Sequence, residues 1–357
     1  MSQERVRVLV IDDSAFNRRT IVKMLEAMPN VEVIGYACDG EEGLRKVLDL
    51  KPDLVTLDLE MPRMDGFTFL RIVMQKQPTP VIVVSSRAND EDVFRALEFG
   101  AVEFVPKPSA RVSPTLMDIR EVLVEKVREV TKANLRNVLG RRPSVAPPPR
   151  VERPRPVTPE PRGGSDFPVV VIGSSTGGPP ALQAIFTAIQ EPVEVGFAVA
   201  QHMPPDFTRA FADRLNRFSA LEIREAADGD VLRPGRVLIA PGGRNLEIFR
   251  SGEELTVKVT EPKSHQRYIP SADVLFASAA PLLGARLLGV VLTGMGNDGA
   301  RGVQAVKGHG GSVLAEDEES CVVFGMPKEA IATGKVDAVV PLPLMCREIL
   351  RRCRVVA

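Results

Sequence analysis

Three polar residues of this chain each follow a short apolar run: Ser175 after Val169–Ile172, His202 after Val195–Ala200, and Asp298 after Leu287–Leu292. A serine, a histidine and a carboxylate are the types needed for a nucleophile, a general base and a group that orients the base. Apolar runs of this length read as buried strands, and the carboxyl ends of parallel strands share one edge of a sheet. On such an edge His202 would take the Ser175 proton. Asp298 would accept the other ring N–H, fix the tautomer and stabilise the imidazolium. The spacing Gly173-x-Ser175-x-Gly177 matches a nucleophile elbow, a turn that stands a hydroxyl above a sheet. The glycine-rich turn around Met295 could present a backbone N–H to an oxyanion, with Thr176 in support beside the serine.

Each residue also has an ordinary reading. Ser175 could be a turn serine, His202 a partly buried histidine beside Met203-Pro204-Pro205, and Asp298 a turn aspartate in Asn297-Asp298-Gly299. The stretch Gly173–Gly178 could instead cradle a phosphate with its N–H groups. A dinucleotide site would want an acidic residue after the second strand, where Gln201-His202 stands, and a P-loop would want a lysine in the turn. The ordinary readings must also explain three coincident strand ends.

A second constellation lies nearer the N-terminus. Apolar runs end in Asp12-Asp13, in Asp58, in Ser85-Ser86 and in Lys107-Pro108. Three converging carboxylates repel one another and imply a hard cation with oxygen ligands, for which Mg2+ fits. Lys107 and the Ser85 hydroxyl could then hold a transferred phosphoryl group on Asp58.

The elements that must position these residues follow from the pattern. Strands are expected at Val6–Ile11, Val31–Tyr36, Leu54–Leu57, Val81–Val84 and Glu103–Val105. Helices are expected after Ser14, over Gly40–Leu50 and over Asn89–Phe99, with Gly100 closing the last. Five strands alternating with helices give an α/β fold with a parallel sheet covered on both faces. A helix over about Leu116–Leu139 follows from Leu116, Ile119, Leu123, Val127, Val130, Leu135 and Val138. Between Arg141 and Asp166 stand eight prolines and six arginines with almost no aliphatic residue, which reads as an extended linker. The second module has strands at the three apolar runs above and a helix over Ala181–Ile189. The expected division is a first domain over 1–125, a helical extension and linker over 126–166, and a second, doubly wound α/β domain with a mainly parallel sheet over 167–357.

Composition sets outer bounds. Two domains suit 357 residues, and the formal net charge of +0 gives no general argument for nucleic acid or a membrane surface. Cys38, Cys321, Cys346 and Cys353 show no metal or disulfide spacing and fit a reducing, cytoplasmic compartment. Val6–Ile11 is too short for a signal peptide or membrane span. His202, His265 and His309 show no ligand pairing, which argues against zinc.

At this point the motifs carry a resemblance. Residues 4 to 125 resemble the flavodoxin-like receiver domain of response regulators, through the acidic strand ends, Met61-Pro62, Asp65-Gly66 and an aromatic switch position at Phe104. The resemblance implies that Asp58 is the phosphoacceptor. It places the metal site at Asp12, Asp13, Asp58 and the Glu60 carbonyl. Residues 168 to 355 look like the catalytic domain of the chemotaxis protein-glutamate methylesterases, through Ile172–Gly178, Gln201-His202-Met203-Pro204 and Leu292–Gly299. This implies hydrolysis of glutamate methyl esters on chemoreceptor helices and deamidation of receptor glutamines, with no cofactor for the ester step. It also implies a chemotaxis histidine kinase as phosphodonor. The expected protein is a cytoplasmic monomer that neither binds nucleic acid nor enters a membrane. In its unphosphorylated state the receiver is expected to obstruct the active-site edge. One departure stands out: members often carry His-Arg-Pro-Ser where this chain has Tyr268-Ile269-Pro270-Ser271. The rival classes are a regulator whose output domain only binds, and an esterase for small soluble substrates. No recognition helix or basic stripe supports DNA binding.

Overall fold

The structure is a computed structural model of the chain and describes residues 5–86, 90–107, 119–131, 166–205 and 207–353. The chain forms two compact units, 1–147 and 148–357. The proline- and arginine-rich stretch up to 165 lies outside the described residues, as do Asn89, Pro108, Leu116, Leu135 and Val138.

The first unit alternates strands and helices: β1 (Val6–Ile11), α1 (Ala15–Glu26), β2 (Val31–Ala37), α2 (Gly40–Leu50), β3 (Leu54–Leu57), α3 (Gly66–Lys76), β4 (Val81–Ser86), α4 (Asp90–Glu98), β5 (Glu103–Lys107) and α5 (Arg120–Thr131). The sheet order is β2-β1-β3-β4-β5, parallel throughout. Polar side chains set the helix starts. Ser14, Asp39 and Asp65 accept from the N–H groups of Asn17, Glu42 and Thr68. Helix α3 has no counterpart in the sequence reading, yet its buried Phe69, Leu70, Val73 and Met74 recur at helical spacing. Helix α5 buries Leu123, Val127 and Val130 within this unit. It therefore runs across the boundary expected at 125/126.

The second unit contains β6 (Val169–Ser174), α6 (Gly178–Thr187), β7 (Gly196–Gln201), α7 (Phe207–Phe218), β8 (Glu222–Glu225), β9 (Val231–Leu232), β10 (Arg236–Ile239), β11 (Asn245–Ser251), β12 (Glu254–Thr260), α8 (Ala272–Leu283), β13 (Leu287–Val291), α9 (Ala300–Gly308), β14 (Ser312–Glu316), α10 (Met326–Ala332), β15 (Ala338–Val340) and α11 (Leu342–Arg352). Seven strands pair in the order β15-β14-β13-β6-β7-β10-β8, every pair parallel. Strand β6 is central; β13, β14 and β15 follow outward on one side, and on the other β10 lies between β7 and the edge strand β8. The strands flanking β6, β13 and β7, are the other strands expected to carry the site. A crevice at such a switch point is where open parallel sheets place ligands.

Strands β11, β12 and β9 form a separate antiparallel sheet that the sequence reading did not contain. Its Leu246, Ile248, Leu255 and Val257 join Ala272, Leu275, Phe276 and Ala279 of α8 in one buried cluster. This packing holds helix α8, whose first turn reaches the candidate site.

Candidate active site

Ser175 follows β6 and precedes α6. Its backbone N–H donates to the Thr293 carbonyl at 3.0 Å, and its carbonyl accepts from Gly178 N at 2.8 Å and from Gln201 Nε2 at 3.0 Å. Gln201 Oε1 also accepts from the Ser174 hydroxyl at 2.7 Å. The loop is thus tied on both sides before any catalytic group is considered. The positive φ of the turn falls on Gly177, at +79°, and not on Ser175. A Cβ on Gly177 would stand 2.5 Å from Val322 Cβ, so both backbone freedom and space require glycine there. The strained serine of a nucleophile elbow is therefore absent, and the sharp turn is made two residues later.

His202 follows β7, and its N–H donates to the Ser174 carbonyl at 3.0 Å. Its ring Nε2 pairs with Asp298 Oδ2 at 2.8 Å. Among the described residues, that is the hydrogen bond the ring makes; a bond from the Ser175 hydroxyl to His202 is not closed. Nucleophile–base bonds are often loose without substrate. Strands β6 and β7 pair Ser174 with Gln201, which places Ser175 and His202 at matching positions just beyond the register.

Asp298 is buried at the N-terminus of α8 and accepts four hydrogen bonds. Oδ1 takes the Ser271 hydroxyl at 2.8 Å and Asp273 N at 3.0 Å, and Oδ2 takes Ala272 N at 2.7 Å beside the His202 bond. Burial opposes ionisation of Asp298. The His202 bond and charge, with the N–H groups of Asp273 and Ala272, more than offset it, and the carboxyl lies below its usual range. The helix end adds favourable dipole potential for an anion.

Met295 sits in the half-buried turn after β13, with Gly294 N donating to the Val323 carbonyl and Gly294 O accepting from Gly325 and Met326 N. Thr176 is buried, and its carbonyl accepts from Thr293 Oγ1 at 2.9 Å. Thr293 N in turn donates to the buried carboxylate of Glu316 at 2.9 Å. The Ser175 loop and the Met295 turn are therefore bolted together through Thr293.

In the first unit, Asp12, Asp13 and Asp58 each offer a carboxylate oxygen, and these oxygens lie within 4.8 Å of one another. The Lys107 ammonium pairs with Asp58 and lies 2.9 Å from Asp12 Oδ2, an otherwise unpartnered buried oxygen. Burial works against the charged lysine, and the two carboxylates more than offset it, so Lys107 is held above the ordinary lysine range. Glu60 donates its N–H to Asp58 Oδ1 at 3.4 Å. Ser85 is buried at the end of β4, opposite Pro106 of β5. Phe104 is buried edge-on to Phe94 of α4, with ring centroids 6.4 Å apart. The all-oxygen acidic set, in which the buried Asp12 Oδ2 has Lys107 alone as partner, fits a small divalent cation.

Comparison with known proteins gives the two units their kin. A family model described as CheB methylesterase matches residues 170–349. One described as response regulator receiver domain matches residues 8–115. The chain is 57% identical to "Protein-glutamate methylesterase/protein-glutamine glutaminase 3" of Geobacter sulfurreducens, across 98% of each chain. The chain belongs to the CheB methylesterase family. It is 51% identical, across 94% of each chain, to a "Protein-glutamate methylesterase/protein-glutamine glutaminase 1" of Myxococcus xanthus. The crystal structure of the Thermotoga maritima CheB methylesterase catalytic domain matches with TM-score 0.51 and 38% identity, covering 53% of this chain and 99% of that one. As a CheB methylesterase joined to a receiver domain, the chain is a hydrolase of a response-regulator type.

Sequence reasoning on this CheB chain passed over several supporting groups. Gln201 was read as motif and Ser271 as part of a departure, while Glu316 and Thr293 were given no role. Ser271 is the N-cap of α8: its hydroxyl accepts from Val274 N at 3.3 Å while donating to Asp298. The Ser271→Ala variant is expected to lose about 1 kcal/mol of stability, the usual cost of a lost cap. A several-fold loss of esterase kcat should accompany it, because one donor on Asp298 disappears. Chemical denaturation and steady-state rates measured on the same sample check both.

Proposed function

We propose that Ser175, His202 and Asp298 form a nucleophile, base and orienting carboxylate that hydrolyse methyl esters of glutamate side chains on chemoreceptors and deamidate receptor glutamines. The observation that carries the reading is the 2.8 Å bond between His202 Nε2 and Asp298 Oδ2 at the ends of three adjacent strands. With Nε2 committed to Asp298, Nδ1 is the nitrogen left to take the serine proton. Ser175 Oγ attacks the ester carbonyl as Nδ1 accepts its proton. The tetrahedral oxyanion is met by backbone N–H groups of Met295 and Thr176. The imidazolium returns the proton to the departing methoxide, and methanol leaves. Water then attacks the acyl-enzyme with His202 again as base, which restores Ser175 and yields glutamate. With a glutamine substrate the leaving group is ammonia, and the remaining steps are the same.

The receiver reading is that Asp58 accepts a phosphoryl group from a chemotaxis histidine kinase. Asp12, Asp13, Asp58 and the Glu60 carbonyl would hold Mg2+, which supplies charge neutralisation for phosphoryl transfer. Lys107 and Ser85 would bind the transferred phosphoryl oxygens, and Phe104 would respond to the shift of Ser85. Because Lys107 already bridges Asp58 and Asp12, phosphorylation gives it a new partner and redistributes charge at the end of β5. In this reading a receiver over about 1–125, continued over 126–166 by the end of helix α5 and a linker, regulates an esterase over 167–357. The unphosphorylated receiver holds the esterase down.

An Asp58→Asn variant tests this arrangement in the full chain. With Mg2+ and a small acyl phosphate as donor, methanol release by the parent is expected to rise several-fold. The variant should keep the basal rate and show no rise. A variant that still responds to the donor removes Asp58 as the acceptor.

A further inference from the structure

Tyr268 touches the candidate base, and the chemistry above leaves it without a role. Its phenol ring stacks on the His202 imidazole with ring centroids 5.3 Å apart and planes 11° apart. The hydrogen bond to Asp298 fixes one atom of that imidazole, but it leaves the ring free to swing about the Nε2···Oδ2 line. A flat ring laid on its face removes that freedom.

Tyr268 is itself held in place. Its carbonyl accepts from Gln266 Nε2 at 2.8 Å. Gln266 and Asn245 exchange side-chain hydrogen bonds at 2.9 and 2.8 Å, and Asn245 Oδ1 accepts from Ser271 N at 3.1 Å. The Arg267 guanidinium lies over the phenol, 5.1 Å from the ring centroid. The hydroxyl end rests against Gly296, which has φ +89° and where any Cβ would overlap the phenol oxygen. Tyr268 therefore spans from the base to the turn that carries Met295 and Asp298.

We propose that Tyr268 is a positioning residue for His202: its ring fixes the imidazole plane so that Nδ1 faces Ser175 Oγ, and its π face stabilises the imidazolium formed during acyl transfer. This inference rests on the reading of Ser175 and His202 as nucleophile and base.

The test uses the full chain and a fluorophosphonate, which labels Ser175 only when a base activates it and needs no receptor docking. Tyr268→Leu keeps apolar volume but removes the flat ring; Tyr268→Phe keeps the ring and removes the hydroxyl. The Leu variant is expected to be labelled about tenfold or more slowly than the parent. Its kcat for methanol release should fall in parallel, with KM within about twofold. The Phe variant should stay within about threefold of the parent in every measurement. A parent labelled at Ser175 together with a Leu variant labelled equally fast overturns this inference alone. A Phe variant as slow as the Leu variant also overturns it, because the stack would then not be what matters. A parent that is not labelled at Ser175 overturns the reading of the nucleophile and, with it, this role for Tyr268.

Discussion

The Ser175→Ala variant of the full chain is expected to release methanol from methylated chemoreceptors at least about 10^4-fold more slowly than the parent, with its unfolding transition unmoved within about 0.5 kcal/mol. The two halves of that expectation have separate causes. Every hydrogen bond that fixes the loop at Ser175 uses the backbone: N–H to Thr293 O, and C=O from Gly178 N and Gln201 Nε2. The hydroxyl carries none of them, so alanine keeps the loop. Chemistry, in contrast, loses its only covalent partner, and what remains is the contribution of the oxyanion donors and binding. Methanol release and a denaturation curve from one preparation decide it. Demethylation that persists in a folded variant removes Ser175 as nucleophile. Slow release from a variant whose transition has collapsed assigns the serine a structural part instead.

How much of this site was legible in the sequence depends on whether its parts are local. Ser175, His202 and Asp298 could be picked out as candidates because each follows an apolar run, and parallel pairing of β7, β6 and β13 brings such ends to one edge. The acidic strand ends of the first unit were readable for the same reason. What could not be read is support that crosses the chain. Asp298 depends on the first turn of α8, twenty-five residues earlier, and nothing local to either stretch announces the other. Glu316 shows the same limit: a carboxylate ending β14 looks like a solvent-facing strand end, yet it is buried against Thr293 N. The antiparallel sheet was a different kind of miss. Leu246 and Ile248, with Leu255 and Val257, alternate at period two on either side of Gly252, which is a hairpin pattern open to reading. The loop at Gly173–Gly178 suggested a sharp turn made possible by its glycines, and the positive φ of that turn falls on Gly177.

Asp298→Asn should cost about 10^4-fold in kcat, nearly as much as removing the nucleophile, although the change is nearly isosteric. Four donors converge on this carboxylate: His202 Nε2–H, the Ser271 hydroxyl, and the N–H groups of Ala272 and Asp273. An amide offers one acceptor oxygen and one donor nitrogen. With its NH2 toward His202, the ring must accept at Nε2 and carry its proton on Nδ1, the nitrogen needed to receive the serine proton. Ala272 N–H then also faces a donor. With the NH2 turned the other way, the Ser271 hydroxyl can rotate to accept, but Asp273 N–H is left facing it. Either placement leaves a buried N–H unpaired, at about 1–3 kcal/mol. The pH dependence separates this account from simple damage to the fold. The Asp298 carboxyl is depressed below its ordinary value of 3.8 in the folded chain. Its stabilising contribution is therefore complete above that value and is lost as the pH falls through the folded-state value. The stability gap between parent and variant should be constant near neutrality and close progressively as the solution is acidified below about pH 4. Denaturation midpoints of both chains across that range measure it. A gap that stays constant into acid would mean that the ionised carboxylate is not what the helix end and His202 hold.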